Sequence, residues 1–368
     1  MPITLHWYLP TAGDGRTVMG AGRSLGRTDR LPGDVPGDRP PSVKYLAQIA
    51  QAAEDLGFDA ALTPTGTWCD DAWIVTSALT QLTERLRFLV AFRPGLQSPT
   101  WVAQAAAAFQ RVSGDRLLLN VVTGGDDPEQ RRFGDFLGKD ERYERADEYV
   151  EILRGVWKGE PYSFTGKHIA VEDAIVLNPS KVFPEIYVGG ASESALRVAA
   201  RQADVYLTWG EPPPQVAGQI AKVEAYAREA GRTLRYGIRL YVVARDRAED
   251  AWAAAEKLIS DVDEAQISAA QAVLTSAVSE GQQRMVALHG GRRDALEVYP
   301  NLWAGLGLVR AGAGTALVGS YEEVADRIAE YHALGIDEFI LSGYPHLEEV
   351  YEVGEGVVPR LRARGLVV

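Results

Sequence analysis

Short β-branched or apolar runs at residues 3–10, 59–65, 86–93, 116–123, 185–190, 204–210 and 234–245 each stop at a polar, glycine-rich or aromatic cluster, and a helix-patterned segment follows each one. An eighth run, 338–343, arrives only after a long detour. Alternation of strand and helix favours a parallel sheet, and eight such units in 368 residues predict closure into a (β/α)8 TIM barrel of the α/β class. In that architecture the chemistry sits at the C-terminal ends of the strands. The residues offered there are Thr65, Cys69, Arg93, Thr123, Ser192, Trp209, Arg239, Tyr241 and Tyr344, with Arg310 contributed by the detour.

With 46% hydrophobic residues the chain can bury a large core, and a single elaborated domain over 1–368 is the simplest count. The net charge of −12 argues against a nucleic-acid or anionic-membrane surface, which needs clustered positive charge. Cys69 is the only cysteine, so no intrachain disulfide is expected. The absence of a long apolar run and of a signal-peptide pattern predicts a cytoplasmic protein.

Three stretches interrupt the alternation. Residues 11–41 hold seven glycines, five arginines, four aspartates and four prolines, which oppose helix and ladder formation and predict a long loop after the first strand. That loop overhangs the site or is simply a surface insertion. Residues 158–184 contain two short strand patterns around Gly166, a hairpin insertion. Residues 263–319 form the main insertion: 264–278 reads as helix, 279–284 as polar turn residues, and the glycine-punctuated stretch 301–319 as a mobile lid.

Strand alternation sends Arg239 and Tyr241 to one face with Gly237, and Ile238, Leu240 and Val242 to the other. An arginine facing a barrel interior needs either a bound anion or an internal carboxylate. Arg310, followed by Ala311-Gly-Ala-Gly, reads as a group that swings over a pocket or as a solvated lid arginine. Gly189-Gly190-Ala191-Ser192 links a strand to a helix; it suits a phosphate at the helix start and equally a plain serine cap. Asn120 and Thr123 end another strand with groups able to bond a heterocycle edge or to form a turn. Trp209, Tyr344 and His346 are able to wall a pocket or pack as ordinary core. Cys69 opens the second helix in this reading, where a thiol is either activated or an inert buried group. Scattered single histidines predict no metal site, and no nucleophile elbow or dinucleotide fingerprint is present.

Several strings together resemble the alkanesulfonate monooxygenases of the bacterial luciferase-like flavin family over nearly the whole chain. They include Trp7-Tyr-Leu-Pro-Thr11, Pro64-Thr-Gly-Thr-Trp-Cys-Asp-Asp-Ala-Trp73, Asn120-Val-Val-Thr-Gly124, Tyr206-Leu-Thr-Trp-Gly-Glu-Pro-Pro213, Gly307-Leu-Val-Arg310 and Leu341-Ser-Gly-Tyr-Pro-His346. The resemblance implies a two-component monooxygenase that uses dioxygen and reduced FMN from a separate NAD(P)H-dependent flavin reductase. It implies release of sulfite and an aldehyde from a small anionic sulfonate, and a homo-oligomer, dimer or tetramer. The family's substrate-side positions map onto Trp209, Arg239, Arg310, Tyr344 and His346, and its active-site cysteine onto Cys69. FMN is expected near Thr65, Asn120 and Thr123, with its phosphate at Gly189, Gly190, Ala191 and Ser192. Two departures stand out: Tyr241 and Ala12 occupy positions where the family shows histidine, and the first loop is longer. Together they point to a bulkier, hydroxylated sulfonate such as sulfoquinovose.

Overall fold

The computed structural model describes residues 1–19 and 37–368, so the middle of the long loop read at 11–41 lies outside the described residues. The strands are β1 (Thr4–Tyr8), β2 (Ala60–Thr63), β3 (Arg87–Phe92), β4 (Leu117–Val121), β5 (Tyr162–Thr165), β6 (Ala170–Ala174), β7 (Ile186–Gly189), β8 (Val205–Trp209), β9 (Arg235–Arg245), β10 (Glu297–Tyr299), β11 (Leu302–Trp303), β12 (Ala316–Ser320) and β13 (Ile336–Ser342). The order β9-β13-β1-β2-β3-β4-β7-β8, closed by pairing of β8 with β9, is an eight-stranded parallel barrel surrounded by helices. The chain has the (β/α)8 fold that the eight runs predict.

Alternation along each strand sorts the side chains into two layers. Leu5, Trp7, Phe88, Val90, Ile238, Leu240 and Leu341 point outward and form the main core with the helices. Tyr8, Ala60, Leu62, Leu89, Leu118, Tyr187, Val205, Leu207 and Ile340 fill the barrel itself. Each large apolar side chain taken from water in these layers contributes about 1.5–3 kcal/mol, which drives closure.

Strand β9 is long enough to leave the barrel. Its first half pairs with β8 and β13, and from Tyr241 to Arg245 it pairs with β12, which continues antiparallel into β11 and β10. This extension sets the segment between β11 and β12, and with it Arg310, over the end of the barrel. The hairpin of β5 and β6 is antiparallel and lies outside the barrel sheet.

The reading of the stretch after residue 278 needs correction. Residues 280–289 are one helix, Glu280–His289, capped by Ser279 and ended by Gly290 in the left-handed conformation, where polar turn residues were expected. Its buried positions are Gln282, Met285 and His289, so the face carries a single aliphatic residue and leaves no hydrophobic period to read. The second helix is Ala72–Leu79, capped by Asp71, so Cys69 does not open it but sits in the turn before it. Among the described residues no helix is long and apolar enough to cross a membrane, and no cluster of His, Cys, Asp and Glu could hold a metal ion.

Candidate active site

At the strand C-termini the barrel places two guanidinium groups among tyrosines. Arg239, half-buried, lies 4.7 Å over the Tyr8 ring and 4.8 Å over the Tyr241 ring. Arg310, only 5% exposed, lies 5.6 Å over Tyr241 and 5.4 Å over Tyr344. Tyr241 and Tyr344 stack at 5.5 Å with an 11° interplanar angle. Arg239 gives Nη1 to the carbonyls of Leu240 and Ile340, at 2.8 and 3.4 Å. Neither arginine forms an ion pair with a carboxylate among the described residues, and Arg310 Nη1 is buried without a hydrogen-bond partner. Cation–π contact is worth about 0.5–2 kcal/mol per pair, whereas withdrawing an ion from water costs several kcal/mol. Among the described residues, tyrosine contacts therefore leave this cluster without a carboxylate.

The electrostatics treat the two arginines in opposite ways. Burial holds the Arg239 guanidinium below its ordinary value. Burial works in the same direction on Arg310, but the facing hydroxyls of Tyr241, Tyr344 and Tyr8 outweigh it and raise its affinity for the proton. Burial pushes Tyr241 up while Arg310 and then Arg239 outweigh it, so its hydroxyl lies below the usual 10; Tyr344, dominated by burial, lies well above. The two cations thus favour an ionised hydroxyl within the stacked pair.

The Arg310 segment is held from several sides. Gly307 N–H bonds to the Gly314 carbonyl at 3.0 Å, and a Cβ on Gly314 would come within 2.7 Å of the Gly307 Cα, so only glycine permits this crossing. Gln282 accepts from Gly312 N–H at 2.9 Å, and Gln271 donates to the Gly307 and Leu308 carbonyls. A narrow crevice of about 10 Å³ remains, walled by Tyr8, Pro10, Ala12, Trp68, Arg310 and His346. Trp209 is not in its wall. In register with Arg239 on the adjacent strand, it meets helix Glu280–His289, with a Cβ on Gly281 only 3.2 Å from its ring.

Cys69 is half-buried, and burial pushes its thiol up to about 12. It stays protonated at neutral pH, with the Pro64 and Gly66 carbonyls as distant acceptors, and thus serves as a weak donor in place of a thiolate. Nearby, Arg93 is locked to Glu129 at 2.6 Å with both side chains buried. This pairing separates Arg93 from the two unpaired arginines.

The candidate cofactor residues fall on the adjoining sector. Thr65 follows β2, and Asn120 lies on β4 in register with Tyr187 of β7. Gly189 to Ser192 join β7 to helix Glu193–Gln202, where Ser192 Oγ caps Ala195 N–H at 3.4 Å and lies 3.1 Å from Ser194 Oγ. Gly190 has φ +135°, and a Cβ there would strike the Tyr143 hydroxyl at 2.6 Å, so glycine is required. Tyr143 hydrogen-bonds Thr123 and Ser192. Four hydroxyls, from Thr123, Tyr143, Ser192 and Ser194, therefore converge on a helix start, a donor set that fits a phosphate. One feature opposes it: Ser194 donates to the Asp140 carboxylate at 2.8 Å.

Sequence reasoning missed Tyr8, Tyr143 and Asp14. Inward alternation from His6 was the available signal for Tyr8, and an aromatic on the buried face of helix Lys139–Val156 for Tyr143. Asp14 carried none, since its partner His346 lies 332 positions away.

Solved structures share the fold over the full chain. A riboflavin lyase, determined with modified FMN and riboflavin, superposes with a TM-score of 0.82 at 20% identity, covering 100% of this chain and 93% of that one. An EDTA monooxygenase from Chelativorans sp. BNC1 gives 0.78 at 18% identity, covering 100% and 95%. A long-chain alkane monooxygenase gives 0.79 at 19% identity, covering 100% and 93%. Similarity at this level is similarity of fold. A family model for luciferase-like monooxygenases matches residues 25–338 of the sequence, most of its length, and the chain belongs to that family.

Proposed function

We propose that the protein is the oxygenase of a two-component flavin system that uses FMN reduced by a separate NAD(P)H-dependent flavin reductase, together with dioxygen. Its reaction splits the carbon–sulfur bond of an organosulfonate; one oxygen atom ends in the aldehyde and the other in water, and sulfite leaves. The observation that carries this reading is the meeting of Arg239 and Arg310 at the barrel mouth without a carboxylate partner among the described residues. A sulfonate offers three oxygens and a full negative charge, the complement of two guanidiniums. A neutral sulfone, the competing substrate class, would leave both cations uncompensated.

FMN suits the hydroxyl cluster: Thr123, Tyr143, Ser192 and Ser194 would hold its phosphate, with Asn120 and Thr65 towards its ring. When bound and reduced it supplies the two electrons that activate dioxygen. The chain's own residues do the rest. Arg239 and Arg310 neutralise and orient the sulfonate head, the Tyr241–Tyr344 stack walls it, and Trp68 and Tyr8 exclude water. Because the crevice is only about 10 Å³, a substrate enters by displacing the Arg310 segment, with Gly312 at φ +90° as a hinge, and the segment closes again over the bound anion. Ala12 in the crevice wall leaves space beside the sulfonate, which favours a hydroxylated substrate such as the sulfosugar sulfoquinovose.

The test is sulfite release with a flavin reductase, NAD(P)H and FMN, on sulfoquinovose beside C2 to C10 alkanesulfonates and a neutral sulfone. Sulfite from sulfonates only supports the class. Faster release from the alkyl series overturns the sugar assignment, and oxidation of the sulfone in preference to every sulfonate overturns the role of the arginines.

A further inference from the structure

The described part of the first loop returns to the site through Asp14. Its carboxylate is fully buried and accepts four hydrogen bonds: from His346 Nδ1 at 2.8 Å, His346 backbone N–H at 2.7 Å, the Tyr45 hydroxyl at 2.5 Å and Gly15 N–H at 2.9 Å. Burial pushes this carboxyl up, but the charge and hydrogen bonds of His346 and then the Tyr45 bond outweigh it, so it lies below the usual 3.8 and stays ionised. An ionised carboxylate only accepts, so the proton of the short contact is on Nδ1. The opposite nitrogen, Nε2, is buried without a partner among the described residues, in a ring that walls the crevice beside Arg310 and Tyr344.

We propose that Asp14 is a positioning residue for the reaction, locking the His346 imidazole by Nδ1 so that Nε2 faces the crevice and exchanges a proton with the bound substrate. Fastening the loop does not require this contact. Asp14 and Arg39 already exchange backbone hydrogen bonds at 2.9 and 2.8 Å, and Arg39 grips Glu348 through both amines, at 2.8 and 2.5 Å. A buried donor or acceptor left unpaired is costly, a cost that a ligand at Nε2 removes. The assignment rests on the proposed function only in naming a substrate at Nε2.

The experiment is ¹⁵N NMR of histidine-labelled protein, with His346→Gln identifying the His346 signals, beside steady-state sulfite assays. The expected wild-type spectrum shows a hydrogen-bonded Nδ1–H on His346. Asp14→Asn should lose that signature and lower kcat about 10²-fold, within the range of acid–base contributions, with KM for the sulfonate changed less than about threefold. If Asp14→Asn does not fold, Tyr45→Phe, which removes one donor from the carboxylate, should move the Nδ1–H signal while the fold persists. A wild-type His346 with its proton on Nε2 alone, or a signal unmoved in the variants, overturns the proposal. Inactivity of the wild-type enzyme on every sulfonate would overturn the functional reading, and the His346 spectrum would still decide the role of Asp14.

Discussion

Both ends of the barrel interior contain buried charge, and they treat it in opposite ways. At the base, the Glu338 carboxylate is 1% exposed and takes His6 Nε2 at 3.0 Å, the Tyr187 hydroxyl at 2.8 Å and Arg235 Nη1 at 2.7 Å, while Arg235 also pairs with Glu185. At the mouth, among the described residues, Arg239 and Arg310 lie over tyrosine rings, Arg239 donates to backbone carbonyls and Arg310 hydrogen-bonds Tyr241, with no carboxylate partner. A charge compensated by its own protein is a structural element; a charge without a carboxylate partner at the C-terminal end of the strands is the one we propose for a ligand.

The sharpest break of this comparison comes from Arg310→Ala. Turnover should fall by roughly 10³-fold, as expected when a charged group that stabilises the reacting anion is removed, while reduced-FMN affinity by fluorescence titration is retained. Thermal stability should change little, because no carboxylate among the described residues is orphaned and only the Tyr241 contact is lost. A normal rate would remove Arg310 from the mechanism. Glu338→Ala should do the reverse. Removing one member of the buried cluster should cost about 3–5 kcal/mol in urea unfolding and leave kcat of the folded fraction unchanged. Arg239→Ala should raise the sulfonate KM and lower kcat, each by about tenfold, since half of the anion's charge pairing is lost.

Acid separates the two ends by pH. Burial pushes Glu338 up, but the His6 hydrogen bond and charge, then Arg235 and Tyr187, outweigh it and hold the carboxyl below 4.5. The folded state therefore binds this proton more weakly than the unfolded chain. The resulting stabilisation is complete above the unfolded value of 4.5 and is lost as pH falls through the lower folded value. Glu338→Gln should flatten the acid limb of a Tm-against-pH curve, and Arg310→Ala should leave it in place. The smallest effect belongs to Cys69→Ser: a thiol pushed up to about 12 acts as a neutral donor, so the hydroxyl should keep kcat within about threefold, and inactivation would restore a thiolate role.

Much of the frame was legible along the chain. All eight barrel strands fall within or beside the eight apolar runs, and alternation places Arg239 and Tyr241 on the inward face. These features depend on neighbours two to four residues apart, the distance over which side-chain period and capping chemistry operate. Helix Glu280–His289 was hidden because its buried face is mostly polar, although Ser279 and Gly290 marked both ends.

Pattern and composition were thus sufficient for the alternation, the closed parallel barrel and the identity of the groups at its mouth, because each follows from local backbone preference and the burial of one face. Tertiary structure alone decided which charges are paired. Arg93 finds Glu129, Arg235 finds Glu338 and His346 finds Asp14, whereas Arg239 and Arg310, 71 positions apart, converge without a carboxylate among the described residues because β12 extends the sheet from β9. Coulomb attraction and desolvation depend on distance through space and on surrounding solvent, and neither quantity is written in the order of the residues.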